Sequence, residues 1–132
     1  MIKSYKDLEV YQKSYQAALR LHKTSLEFPR HELYELGSQM RRAATSVPLN
    51  IAEGYGRKIS AKEFKYFLRI ALGSCNEVSV LLQMIKDLGY LEKELFQELY
   101  ETYDHLGRQL FRLIEKWKDS NIVHRTSNFD KG

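Results

Sequence analysis

Lys62, Lys65 and Arg69 recur at spacings of three and four residues. On a helix that spacing places all three cations on one outward stripe. Arg57 and Lys58 lie just ahead of them, and Tyr55 and Tyr66 are interleaved. Clustered lysine and arginine bind phosphate chains by releasing condensed counterions, so affinity falls steeply with salt. Aromatic rings beside such cations suit unpaired bases. A solvated helix end, with no ligand at all, fits the same pattern. The other reactive residues are less organised. Cys75 has no histidine or basic residue within one turn, as expected of a small buried hydrophobe. His22, His31, His105 and His124 are scattered, with neither a His-Glu-x-x-His nor a Glu-x-x-His pair among them. Glu101 and His105 share a helical face, as an exposed pair does. Gly54-Tyr55-Gly56-Arg57 lacks the Gly-Lys-Ser/Thr of a phosphate loop and reads as a helix stop. No catalytic residue, metal ligand or cofactor is expected, and the chain reads as a non-enzyme.

Charge is unevenly placed along the sequence. Residues 41–70 carry seven cations (Arg41, Arg42, Arg57, Lys58, Lys62, Lys65, Arg69) against Glu53 and Glu63, a net of +5. Residues 71–105 carry Lys86 and Lys93 against seven carboxylates, a net of −5. The formal total of +4 therefore conceals a dipolar molecule.

Composition restricts the scaffold that holds these groups. A chain of 132 residues, 43% hydrophobic and 29% charged, is of single-domain length and neither disordered nor membrane-embedded by composition. Two prolines and seven glycines are too few turn residues for an all-β fold. The longest stretch without charge, Ala43 to Ala52, is about half a membrane span, so no transmembrane helix is expected. The sequence from Met1 to Asp7 lacks the apolar core of a secretory signal, and one cysteine makes no internal disulfide. A cytoplasmic location follows as an expectation. Sixteen aromatic residues, nine of them tyrosine, exceed what a small helical core hides and suit a protein interface.

Periodicity predicts four helices. The first follows a capping box at Ser4 and Asp7, with Leu8, Tyr11, Tyr15, Ala18 and Leu21 on its apolar face, and stops near Pro29. The second runs from about Glu32 to Gly54 or Gly56, on Leu36, Met40, Ala43, Val47 and Ile51. Pro48 lies within it and removes a backbone donor at a cost of ~3 kcal/mol in a straight helix, so a kink is predicted there. The third begins with a capping box at Ser60 and Glu63, carries Phe64, Leu68, Ala71, Cys75, Val78, Leu82 and Ile85, and ends at Gly89. A second stripe beside it makes its apolar face wide, as in a bundle. The fourth runs from about Glu92 to Asp119, lined by Leu95, Leu99, Leu106, Leu110, Leu113 and Trp117, with Phe111 widening the face.

Short connections favour antiparallel neighbours, so an up-down-up-down antiparallel four-helix bundle is expected over residues 1–119, followed by a flexible C-terminal tail over 120–132. This threading gathers one basic end. The +5 segment is joined there by Lys3 and Lys6 against Asp7, and by Arg108, Arg112, Lys116 and Lys118 against Glu115 and Asp119, giving +8. Arg57, Lys58, Lys62, Lys65, Arg69, Arg108 and Arg112 are the candidate nucleic-acid ligands.

One segment has a more specific signature. Ser46-Val-Pro-Leu-Asn-Ile-Ala-Glu-Gly-Tyr-Gly-Arg57, preceded by Gln39-Met-Arg-Arg-Ala-Ala44, resembles the 23S rRNA intervening-sequence protein family. Glu63-Phe64 with Phe67-Leu68, Ala71-x-Gly73-Ser74-x-x-Glu77 and Leu106-Gly107-Arg108-x-Leu110 extend the similarity over roughly residues 5–118. Cys75 stands where leucine is commoner. The resemblance implies a bacterial four-helix bundle of mostly unassigned activity, assembled as a ring-like homopentamer. It is similar also to the accessory proteins of diversity-generating retroelements, which bind nucleic acid through basic surfaces and bind a reverse transcriptase.

Within this motif, structural roles are expected of Arg41, Arg42, Pro48, Asn50, Glu53, Gly54 and Glu77. Asn50 should donate to backbone groups freed by Pro48. Glu53 should pair with Arg57 or with a neighbouring subunit, and Arg41 and Arg42 with Glu77. The leading expectation is a self-assembling, non-enzymatic bundle that binds RNA or DNA. The alternative is an oligomeric scaffold for a protein partner such as a reverse transcriptase, with no direct role in binding nucleic acid and none at a membrane.

Overall fold

In the computed structural model, residues 2–118 are described. A 3-10 turn at Tyr5–Asp7 precedes α1 (Glu9–Ser25), and a single helical turn, α2 (Arg30–Leu33), bridges to α3 (Leu36–Tyr55). Then come α4 (Ala61–Asp87) and α5 (Lys93–Lys116), with no strand among the described residues. The four long helices alternate in direction. α1 packs on α3, α3 on α4, α4 on α5, and α5 back on α1. This is the antiparallel four-helix bundle expected from the periodicity. The tail expected over 120–132 lies outside the described residues.

The predicted stripes form the core. Met40, Val47 and Ile51 of α3, Phe64, Leu68, Ala71, Val78, Leu82 and Ile85 of α4, and Leu99, Leu106 and Leu110 of α5 are buried. α4 has the length and apolar content of a membrane span, but that apolar face is the one the bundle buries between α3 and α5. On α1 the buried line is rotated from the predicted one. Val10, Ser14, Ala17 and Leu21 face the core, while Tyr15 is exposed and Tyr11 half-buried. Small Ser14 and Ala17 suit close helix approach, and the tyrosine hydroxyls stay near solvent.

The helix ends follow their capping chemistry, with three departures from expectation. The Ser4–Asp7 box closes the 3-10 turn, and Leu8 is extended before α1 begins. The second predicted helix is interrupted: Tyr34 and Glu35 separate α2 from α3. Ser60 Oγ accepts from the Glu63 amide at 3.2 Å, but the Ser60 amide donates to the Arg57 carbonyl, so the box at α4 is half made. α3 ends at Gly56, one of the two stops expected, in a right-handed rather than left-handed conformation, and Gly54 is not the stop. Gly54 is buried inside the last turn, and the only positive φ among the described residues is that of Gly89, at 82°. At Gly89 the Tyr90 amide donates to the Ile85 carbonyl, the six-to-one bond of a Schellman end.

Gly54 serves close packing instead. A Cβ there would lie 2.7 Å from Phe67 Cβ and 3.1 Å from Phe64 Cδ1. Only a residue with no side chain lets α3 and α4 meet at this depth. α3 is also continuous through Pro48 rather than broken and restarted. Asn50 Nδ2 donates to the Ser46 carbonyl at 2.8 Å, not to the Ala44 carbonyl that Pro48 leaves without its amide. An asparagine side chain reaches back one turn, whereas Ala44 is six residues away. Asn50 also donates to Ser46 Oγ, which accepts from Ser74 Oγ at 2.8 Å, so a polar chain ties α3 to α4.

Gly54→Ala should destabilise the fold by about 1–3 kcal/mol through overpacking. Urea titration followed by far-ultraviolet circular dichroism measures it, and an unchanged midpoint would contradict the close-approach role.

Candidate nucleic-acid interface

The α3–α4 corner is built by short backbone bonds. The Arg57 amide donates to the Gly54 carbonyl at 2.9 Å, and the Lys58 amide to the Tyr55 carbonyl at 3.1 Å. Beneath it, rings close the end of the bundle. Tyr55 meets Phe64 edge-on at 6.1 Å, and Phe64 meets Trp117 at 4.7 Å. Lys58 Nζ sits 3.9 Å above the Tyr55 ring. Tyr55, buried and covered, is therefore not the stacking surface that its sequence position suggests.

Arg57 is engaged on three sides. Its Nε donates to Glu53 at 3.3 Å, its Nη1 lies 3.5 Å from Glu63, and its guanidinium stands 5.2 Å above Phe67. The expected Glu53–Arg57 pair is thus formed within one chain. Exposed pairs of this kind stabilise by only ~0–1 kcal/mol, so they hold a side chain in place more than they hold the fold. Phe67 had no sequence signal as an arginine seat, since it reads as a core residue.

Lys62 and Arg69 are exposed and Lys65 half-buried along the first turns of α4. Among the described residues, none of the three forms an ion pair, and neither does Arg112. Arg108 differs, because it pairs with Asp104 one turn back. Arg108 and Arg112 line the groove between α4 and α5 beside Tyr100 and Phe111. The Phe64–Trp117 contact and the packing of Leu72 on Gly107 bracket Arg69 and Arg112 at one level of the bundle.

Arg41 and Arg42 lie elsewhere. They sit near the start of α3, ~20 Å along the helix from Tyr55 at 1.5 Å per residue. The charge expected at the basic end is thereby lowered by two. Nor do they pair with Glu77. Arg41 donates to Ser25 Oγ at 2.8 Å and to the Leu33 carbonyl at 3.0 Å, tying α1 and α2 to α3. Arg42 donates to Ser38 Oγ one turn back, and Glu77 is exposed on α4. Arg41 faces the α1 side of α3, away from α4.

The lone cysteine and Tyr103 are buried. Desolvation pushes the Cys75 thiol up to about 12, so it stays protonated at neutral pH. Burial likewise raises the Tyr103 hydroxyl. Among the described residues, no three histidine, cysteine or acidic side chains converge as a metal site would require. What the surface offers is charge and exposed rings.

A protein of unknown function from the S23 ribosomal protein family of Bacteroides thetaiotaomicron superposes with a TM-score of 0.73 at 23% identity, covering 81% of this chain and 96% of that one. At that identity the likeness establishes a shared fold. No curated protein shows significant similarity to the chain. The profile of the 23S rRNA-intervening sequence proteins matches residues 6–112. With most of its length matched, this chain belongs to the 23S rRNA-intervening sequence protein family.

Proposed function

We propose that this protein is a self-assembling, non-enzymatic bundle that binds RNA or DNA through its basic end. The observation that carries this reading is the stripe of Lys62, Lys65 and Arg69, joined by Arg112, whose charges meet no carboxylate among the described residues. Arg57, Lys58 and Arg108 belong to the same region but are already engaged with rings or carboxylates. They shape the surface, and the bare cations take the phosphates. Each such contact releases condensed counterions and so makes affinity salt-dependent.

Self-assembly is supported by two apolar grooves on opposite faces. One lies between α1 and α3, ~280 Å³ in volume, lined by Tyr11, Tyr15, Leu19, Pro48 and Leu49. The other lies between α4 and α5, ~630 Å³, lined by Leu72, Val80, Tyr100 and Phe111, with Arg112 as its lining residue nearest the basic end and so at the limit of the contact. Leu49, Val80 and Phe111 are each more than half exposed. Two unlike faces favour head-to-tail contacts, which close into rings when the rotation allows. The homopentamer that the family resemblance implies is such a ring. Its formation would repeat the basic end around an axis and multiply weak phosphate contacts.

Reversing Lys62, Lys65 and Arg69 to glutamate should abolish a salt-sensitive electrophoretic shift of structured RNA while leaving helicity intact. An unchanged shift would remove the stripe from the site. Light scattering of the native protein should give a multiple of 15.6 kDa, and Leu49→Glu or Phe111→Glu should reduce it toward the single-chain mass. A native protein at 15.6 kDa would refute self-assembly. Cys75, buried in the core, should react with a disulfide reagent at pH ~8 at least ~100-fold more slowly in the native than in the urea-unfolded chain. Comparable rates would reopen the case for a reactive thiol.

A further inference from the structure

We infer that Tyr66 is a stacking platform for an unpaired base, which makes the α4 stripe a binding site for single-stranded nucleic acid. This rests on the phosphate-binding reading above and specifies its ligand. Two tyrosines adjoin the basic corner, and the structure separates them. Tyr55 is 7% exposed and lies under Lys58, whereas Tyr66 is 56% exposed. Lys62 lies four residues before Tyr66 and Arg69 three after, so both cations neighbour it on one helical face.

The ring is also held. Tyr66 meets Phe67 edge-on, with centroids 5.2 Å apart and planes at 82°. Phe67 in turn lies beneath the Arg57 guanidinium, which Glu53 and Glu63 steady. A ring braced from one side loses less freedom when a base settles on its free face. A duplex keeps its base faces within the stack, so only an unpaired strand can use both the cations and the ring. Stacking of this kind tolerates any base and either sugar.

Fluorescence anisotropy of the full-length protein with labelled single strands, RNA and DNA of one sequence, and with the matching duplex tests this directly. Tyr66→Ala should raise Kd for both single strands about 5- to 150-fold, with duplex binding changed about twofold or less. The salt dependence should keep its slope, because no phosphate contact is lost. Tyr66→Trp should restore the single-strand affinity. Equal losses on strand and duplex, or no loss on either, would overturn the platform while leaving the basic stripe as a general phosphate site. A wild-type protein that binds none of the three would remove both the platform and the phosphate-binding reading.

Discussion

The close approach of α3 and α4 at Gly54 fixes the basic end of the molecule. Gly54 lies against Phe64 and Phe67 with no room for a methyl group. Because the helices touch there, the link between them spans only five residues, and Ser60 caps α4 one step from the contact. Phe67 is pressed toward the surface, where Arg57 rests on it. Phe64 is driven inward against Trp117, which fastens the end of α5 to the start of α4. With those contacts set, the register of α4 leaves Lys62, Tyr66 and Arg69 facing outward. A side chain at position 54 would alter all of this together.

The charges divide by what holds them. Arg20 donates to Glu98 at 2.6 Å across α1 and α5, and that contact holds the Glu98 carboxyl below its usual range. Arg41 staples the first connection, and Arg57 its second. These cations serve architecture. Lys62, Lys65, Arg69 and Arg112 have no such employment among the described residues, and on the proposed reading a polyanion would relieve their mutual repulsion. Function on this reading lies in the charges that folding leaves over. That reading requires no moving part and no reactive group, and burial holds the Cys75 thiol and Tyr103 hydroxyl protonated.

Much of the bundle was legible from spacing alone. The stripes of α3, α4 and α5 recur at helical period, and burial follows them closely. Errors arose where two physical readings share one residue type. Gly54 satisfied the rule for a helix stop, but its role depends on a neighbouring helix that no local window contains. Tyr11 and Tyr15 counted as apolar, yet their hydroxyls keep them at the margin of α1 while Ser14, bonded to its own helix through the Tyr11 carbonyl, goes inward. The candidate cations were legible as residue types, not as free or engaged groups. Glu63 was assigned to the Ser60 amide and instead turns to Arg57, a choice that only the folded corner presents.

The salt dependence of nucleic-acid binding by the unmodified protein tests the central claim most directly. If four bare cations per chain meet phosphates, log Kobs against log salt should fall linearly with a slope of about −3 to −4 per bound chain on duplex, or somewhat shallower on single strands. A slope near zero would contradict the claim, because binding would then owe nothing to the charges that this fold leaves unpaired.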